Sequence, residues 1–426
     1  MTDNKKDTKT PEDFSWFDPD VQDCPYDYYQ SLRDESPVYQ DPSTGTYVIS
    51  RFEDLRAVLL DTENFGNERD TKSSGEAPQP TEQQIRMQKL FEEKGWAPAA
   101  TLAGRDDPNH RQMRNMFDQA FRPGKIKNLD PYVEEVAFRL FDDFAEDGRC
   151  DWVQQFAVPL PLIVIGRQMG AREEDIWRIK DWTDAWVRRF GLMQSPEEEE
   201  ECVLQQIEAQ HYFQPIFEKL RDEPDETLLS DLVNTEIPEW GRTLTDNELH
   251  AETMSDTFVG GSETSTNAIS EGAKILIENP HIWEQLNSDP DKYLRVFVEE
   301  VLRLESPVQM LSRVAKKDVT LHGVTIPAGA AVGTRYAAAN RDERRFENPG
   351  EVDLDRKNPM AHLTFGAGIH YCLGAPLARR ELYYAFKVLT DRVEKMWFVE
   401  GENDFKHHPH FFLRALKELN IGFKLK

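Results

Sequence analysis

The sequence predicts a mainly α-helical fold with small β-sheets, organised as one large domain over residues 1–426. Three observations point there. Apolar residues recur at spacings of three and four through most of the first 300 positions, as in PYVEEVAFRLFDDFAED and HYFQPIFEKLRD. Stretches with strand-like alternation are few and short. No internal repeat and no Gly/Pro/Ser-rich linker divides the chain into independent parts.

Taken in order, the N-terminal MTDNKKDTKTPEDF is polar and carries no apolar export segment, so residues 1–15 are expected to be flexible and the protein cytoplasmic. Tyr47–Ser50 reads as a strand. The polar segment NERDTKSSGEAPQP, residues 67–80, reads as a mobile loop, and the next residues form a short amphipathic helix around Ile85, Leu90 and Phe91. Ser195-Pro196 before the acids Glu197–Glu201 marks a helix start: an N-cap, proline in the first turn, and negative charge at the positive end of the helix dipole.

Thr245 and Glu248 form a capping box that opens a helix running to Asn279-Pro280, roughly 50 Å at 1.5 Å per residue. Its middle, FVGGSETSTNAIS, holds two glycines, each costing about 1 kcal/mol of helix propensity relative to alanine. That cost requires a reason. Further on, Val319–His322, Gly323 and Val324–Ile326 read as two strands about a turn, FFLRALKELNIGFKLK as a last hairpin, and the segment from Cys372 to about Asp391 as a helix.

The 426 residues are 39% hydrophobic and 30% charged, in the range of globular proteins, and no apolar run approaches the ~20 residues needed to span a bilayer. A formal net charge of −27 opposes nonspecific binding to nucleic acid or anionic membrane, both polyanionic. The four cysteines, Cys24, Cys150, Cys202 and Cys372, are widely spaced with no CxxC pair, which argues against a disulfide framework or a zinc site.

Cys372 has unusual neighbours. Phe365, Gly366, Gly368, His370, Cys372 and Gly374 form Phe-Gly-x-Gly-x-His-x-Cys-x-Gly just before a helix. Glycines there let the backbone approach a flat cofactor, and the helix dipole favours a thiolate. One thiolate with no second chelating group suits an iron already held by a porphyrin.

On these residues the sequence resembles the cytochrome P450 family of haem-thiolate monooxygenases, over nearly the whole chain. EEVLR supplies the family's Glu-x-x-Arg as Glu300 and Arg303, with Arg356 completing a structural triad. FVGGSETS resembles the family's oxygen-binding helix, with Gly260, Gly261, Ser262, Glu263 and Thr264 in register. The resemblance implies a haem b between that long helix and the cysteine loop, with Cys372 on the iron, and Glu263 and Thr264 as the acid and alcohol that manage protons. His110 and Arg114, one helical turn apart, together with Arg313 and His370, match the groups that hold haem propionates.

By the same resemblance the substrate contacts are Phe91, Trp96, Phe190, Leu192, Val259, Gly260, Val308, Met310, Leu311 and Phe412. Most are apolar, so an apolar small molecule is expected. The implied reaction inserts one oxygen atom of O2, with electrons from a separate ferredoxin and its reductase, in a monomeric protein; a peroxide-driven oxygenase and a non-catalytic haem-thiolate sensor are the alternatives. Family ferredoxins are mostly acidic, so Arg111, Arg122, Lys125, Lys127, Arg379 and Arg380 are the candidate docking patch.

Overall fold

The computed structural model describes residues 9–68, 80–191 and 194–426. Most of the loop expected at 67–80, the first eight residues, and the substrate candidate Leu192 lie outside them. Within the N-terminal stretch, Phe14 packs against Tyr28 at 5.6 Å between ring centroids, and Pro11 is buried.

The chain forms two compact units, one of residues 1–77, 299–371 and 406–415, the other of 78–298, 372–405 and 416–426. Because the chain passes repeatedly between them, no single cut separates the two. That is why the sequence shows no linker.

The first unit is built on a five-stranded sheet in the order Val38–Gln40, Tyr47–Ile49, Ala331–Thr334, Leu311–Ala315, Phe65–Gly66. Tyr47–Ile49 runs parallel to Ala331–Thr334 and the other neighbours are antiparallel. The hairpin at Gly323 is present: Val319–Leu321 pairs with Val324–Ile326, and His322 (φ 50°) and Gly323 (φ 79°) both take the positive φ that a tight two-residue turn demands.

The same unit holds a buried ionic knot. Arg303 donates from Nε and Nη2 to the two oxygens of Glu300 at 2.8 and 3.0 Å, and to the carbonyls of Asn340, Pro349 and Glu351. Arg356 Nε donates to Glu300 Oε1 at 2.8 Å, and the Asp353 N–H to Oε2 at 2.9 Å. Glu300 and Arg303 are fully buried, so the pair is structural, as the resemblance implied.

The second unit is helical around Gly260–Glu278, which packs on Pro159–Gln168 and Ala375–Arg392. Gly272 is required by a close approach: a Cβ there would stand 2.2 Å from the Phe386 ring. The capping box at Thr245 forms as expected, its Oγ1 accepting from the Glu248 N–H at 3.3 Å and Glu248 Oε2 from the Thr245 N–H at 2.9 Å. The helix it opens is not uniform. Asp246–Glu252 is α-helical, Thr253–Val259 is a π turn, and Gly260–Glu278 is α-helical again. The wider turn rotates the residues after it relative to those before.

The Ser195 cap also forms, opening Pro196–Asp222. The expected C-terminal hairpin is a different object. Asn420–Leu425 pairs with Val393–Phe398 and Arg149–Asp151 in a three-stranded sheet, so its partners are distant in sequence and FFLRA is not one of them.

Candidate active site

In the second unit Cys372 lies just ahead of Ala375–Arg392, whose first turn carries Pro376. Burial is the largest influence on its thiol and raises its pKa; the backbone N–H groups of Gly374 and Ala375, then Arg114 and Arg379, pull the other way. The residue is nevertheless solvent-accessible. The two facts agree for a sulfur with protein on most sides and one open side.

The helix dipole alone therefore does not make Cys372 a thiolate, as the sequence suggested; a cation on the open side would. Cys150 and Cys202 are buried, their thiol pKa values are raised, and neither receives the backbone donors that Cys372 does. This donor set fits a metal that brings its own equatorial ligands, and among the described residues no cluster of three His, Cys, Asp or Glu could hold a bare ion.

Asn109–Ala120 carries His110 and Arg114 on one face, as predicted. His110 is 2% exposed, and burial lowers its pKa against the opposing pull of Asp107, which favours the neutral imidazole. Arg114 donates from Nε to Asp118 at 2.8 Å.

The segment Gly260–Thr264 shows why glycines sit mid-helix. Nothing lies within 4 Å of a Cβ built on Gly260, which faces open space, whereas one on Gly261 would meet Ile165 at 3.2 Å. Only the first glycine leaves room; the second serves helix packing. Thr264 Oγ1 donates to the Gly260 carbonyl at 2.9 Å.

Glu263 points elsewhere. Its Oε1 lies 3.3 Å from Lys180 Nζ and accepts from Thr183 Oγ1 at 3.3 Å, both on Ile176–Phe190. Burial raises the Glu263 pKa with Lys180 opposing. Burial also works against the Lys180 ammonium, but Glu263 and Asp184 overcome it and raise its pKa.

Sequence reasoning missed Glu381. Fully buried, it accepts from Ser265 Oγ at 2.6 Å, and burial pushes its carboxyl up to about 8, the Ser265 hydrogen bond opposing. Among the described residues Glu381 Oε1 and Asn267 Nδ2 are buried with no protein partner. A signal existed: Glu381 falls at helical spacing between the buried Leu377 and Ala385, an acid on an apolar face.

In the first unit, His370 Nε2 is 3.0 Å from Asn67 Nδ2, and Arg313 is half-buried on Leu311–Ala315 with Nη1 donating to the Ser312 carbonyl. Phe365 is half-buried, its ring 6.4 Å from that of Tyr371. Gly366 and Gly368 have φ of 70° and 73°, and a Cβ on Gly368 would stand 2.7 Å from the Leu59 carbonyl oxygen. Gly368 thus serves a contact with protein backbone, correcting the view that every glycine here faces a cofactor.

Two substrate candidates are core residues. Phe91, 3% exposed, packs with Met87, Val203 and Ile207; Met310, 1% exposed, presses its sulfur where a Gly333 side chain would be. Apolar character alone could not separate lining from core. Trp96 sits with its ring 4.4 Å from His250, and Phe190 stacks on Trp186 at 5.3 Å. Val259 is buried at the end of the π turn, Val308 and Leu311 are half-buried against the sheet core, and the Phe412 carbonyl accepts from the Gln309 N–H at 2.7 Å.

Three of the six docking candidates are already paired with acids: Arg111 with Asp107, Lys125 with Asp231 and Arg380 with Asp130. The local positive field is smaller than the sequence suggested.

The comparisons with known proteins agree on one family. Residues 181–391 match the family model described as Cytochrome P450. The chain is 32% identical over 406 residues to the polyketide biosynthesis cytochrome P450 PksS of Bacillus subtilis (strain 168), covering 93% of this chain and 95% of that one. It is similar to the crystal structure of CYP109E1 from Bacillus megaterium in complex with testosterone, with a TM-score of 0.78, 30% identity and coverage of 93% and 99%. It is also similar to P450BioI solved with an acyl carrier protein ligated to hexadec-9Z-enoic acid, with a TM-score of 0.83, 28% identity and coverage of 95% and 100%. With identity sustained over nearly its full length, the chain belongs to the cytochrome P450 family, whose members are monooxygenases carrying haem b on a cysteine thiolate.

Proposed function

We propose that this enzyme inserts one oxygen atom of O2 into an apolar small molecule, with electrons from a separate ferredoxin and reductase, acting as a monomer in the cytoplasm. The observation that carries the reading is the surroundings of Cys372: two backbone N–H donors, two arginines and one open side. When bound, the haem supplies the binding and reductive activation of O2. Cys372 would hold its iron, and His110, Arg114, Arg313 and His370 would hold its propionates.

The remaining chemistry belongs to the chain. Gly260 leaves space where a larger residue would block it. Thr264, whose Oγ1 donates to the Gly260 carbonyl, carries the hydroxyl that would pass on a proton. Two buried acids can resupply it. Burial raises the Glu263 pKa against the pull of Lys180, and Glu381 holds a proton beside Ser265, the next residue after Thr264. Either is protonated more readily than an ordinary carboxylate, which suits a donor working near neutral pH.

Testosterone and a hexadecenoyl chain, bound by two relatives, share an extended apolar skeleton. That supports an apolar substrate here, contacted by Trp96, Phe190, Val259, Gly260, Val308, Leu311 and Phe412. The test is the reduced carbon monoxide spectrum of the holoenzyme. Cys372→Ala should abolish the thiolate band while Cys24→Ala, Cys150→Ala and Cys202→Ala keep it; a band that survives Cys372→Ala refutes the assignment. Product formed from NAD(P)H through added ferredoxin and reductase, and not from hydrogen peroxide, separates this reading from a peroxide-driven one.

A further inference from the structure

The loop between Glu82–Lys94 and Asn109–Ala120 is tied down at both ends. At its start the Trp96 N–H donates to Gln210 Oε1 at 2.9 Å and Gln210 Nε2 donates back to the Trp96 carbonyl at 3.0 Å. At its far end the Leu102 N–H donates to Glu252 Oε1 at 2.5 Å and the Ala103 N–H to Asp256 Oδ2 at 3.0 Å. Ser255 Oγ donates to the other Asp256 oxygen at 2.8 Å.

An acid is a costly choice for this task. Glu252 is fully buried and its Oε2 has no hydrogen-bond partner among the described residues. Arg105, a cation that acts on Glu252, is engaged at 3.2 Å with Glu248, which Arg242 also holds at 2.7 Å. Glutamine would offer the same acceptor oxygen without a buried acid. Burial raises the Glu252 pKa well above its ordinary value, so the grip on the Leu102 N–H is that of a buried acceptor oxygen rather than of a charge. The position of the grip matters as well. Glu252 and Asp256 flank the start of the π turn Thr253–Val259, and that turn ends directly before Gly260.

We propose that Glu252 and Asp256 are positioning residues that latch the 96–105 loop to the π turn, so that opening this latch admits the apolar substrate. The claim rests on the proposed function in one respect, that Trp96 at the start of this loop contacts the substrate. The latch itself is a matter of hydrogen bonds and can be tested without that premise.

The test measures amide hydrogen exchange at Leu102 and Ala103 in the holoenzyme, with Ile269 in the buried helix as a control, and then the association rate of phenylimidazole against imidazole, which lacks the bulky apolar arm. Glu252→Leu should raise exchange at Leu102 roughly tenfold or more, as expected when a buried backbone hydrogen bond is lost, and leave Ile269 unchanged. It should speed phenylimidazole several-fold and imidazole little. Glu252→Gln, which keeps the acceptor, should remain within about twofold of the wild type in both. Asp256→Ala makes the same test at Ala103 should Glu252→Leu fail to fold. Unchanged exchange in the Leu and Ala variants, or a Gln variant as loose as the Leu one, overturns the latch. Faster exchange with unchanged association overturns its role in admission. Failure of both imidazoles to shift the wild-type spectrum would strike the haem reading, and the exchange data would still decide the latch.

Discussion

Glu381→Gln should remove a large part of the pH dependence of stability. Burial raises the Glu381 carboxyl from 4.5 to about 8, with the hydrogen bond from Ser265 opposing. The folded protein therefore keeps this proton to higher pH than the unfolded chain does. The stability it contributes is fully present below the unfolded value and is lost as pH rises through the folded one. At 1.36 kcal/mol per unit the full window is worth roughly 4–5 kcal/mol, an upper figure because relaxation and water entry soften buried charges. The amide is the right probe, since its oxygen still accepts from Ser265 Oγ and it never ionises. Urea unfolding near about pH 5 should find the two proteins equal within about 1 kcal/mol, and near about pH 9 the variant more stable by several. Parallel curves across that range would show that Glu381 is ionised in the folded protein, and the proton store beside Ser265 would have to be abandoned.

Other outcomes follow from the same contacts. Arg303→Ala leaves Glu300 buried with only Arg356 and one backbone donor, and should cost about 3–5 kcal/mol in urea unfolding. A loss under about 1 kcal/mol would contradict the structural role of the knot. Thr264→Ala should leave haem content and substrate affinity nearly intact while diverting NAD(P)H electrons from product to hydrogen peroxide; unchanged product per NAD(P)H would move the proton step to Ser265. Lys180→Met removes the cation opposing burial at Glu263, so the Glu263 pKa should rise further. Any limb of the turnover profile governed by that acid then moves to higher pH, and a fixed profile would exclude Glu263 from the proton path.

Much of the fold was legible where a local rule decides it. The caps at Ser195 and Thr245 and the turn at His322-Gly323 are short-range chemistry, and all three stand as read. The cysteine loop was legible because its glycines, histidine and cysteine are fixed in spacing. What escaped was decided by distant partners. The π turn at Thr253–Val259 has no sequence signature, and the pairing of Glu263 with Lys180 spans separate helices. Phe91 and Met310 read as well for lining as for core until Ile207 and Gly333 were seen beside them. The C-terminal strand was seen, but its partners at Val393–Phe398 and Arg149–Asp151 were not.

The acids along one helix give the chain's charge a meaning that composition alone could not. Glu252, Asp256 and Glu263 lie on the helix from Asp246 to Glu278, Glu381 packs on it, and burial raises the pKa of all four. The formal −27 thus includes acids held inside, where burial favours their neutral form, and not on the surface. Each of these acids grips something that has to stay in place: two backbone N–H groups of the 96–105 loop, the Lys180 helix, and Ser265. An acidic partner would meet only the surface charge, which ion pairs such as Lys125 with Asp231 and Arg380 with Asp130 already soften. On the proposed reading, electron delivery from an acidic ferredoxin would rely on a local patch among the six candidate basic residues and not on overall attraction. Its rate should accordingly fall less steeply with salt than that of a partner pair with opposite net charges.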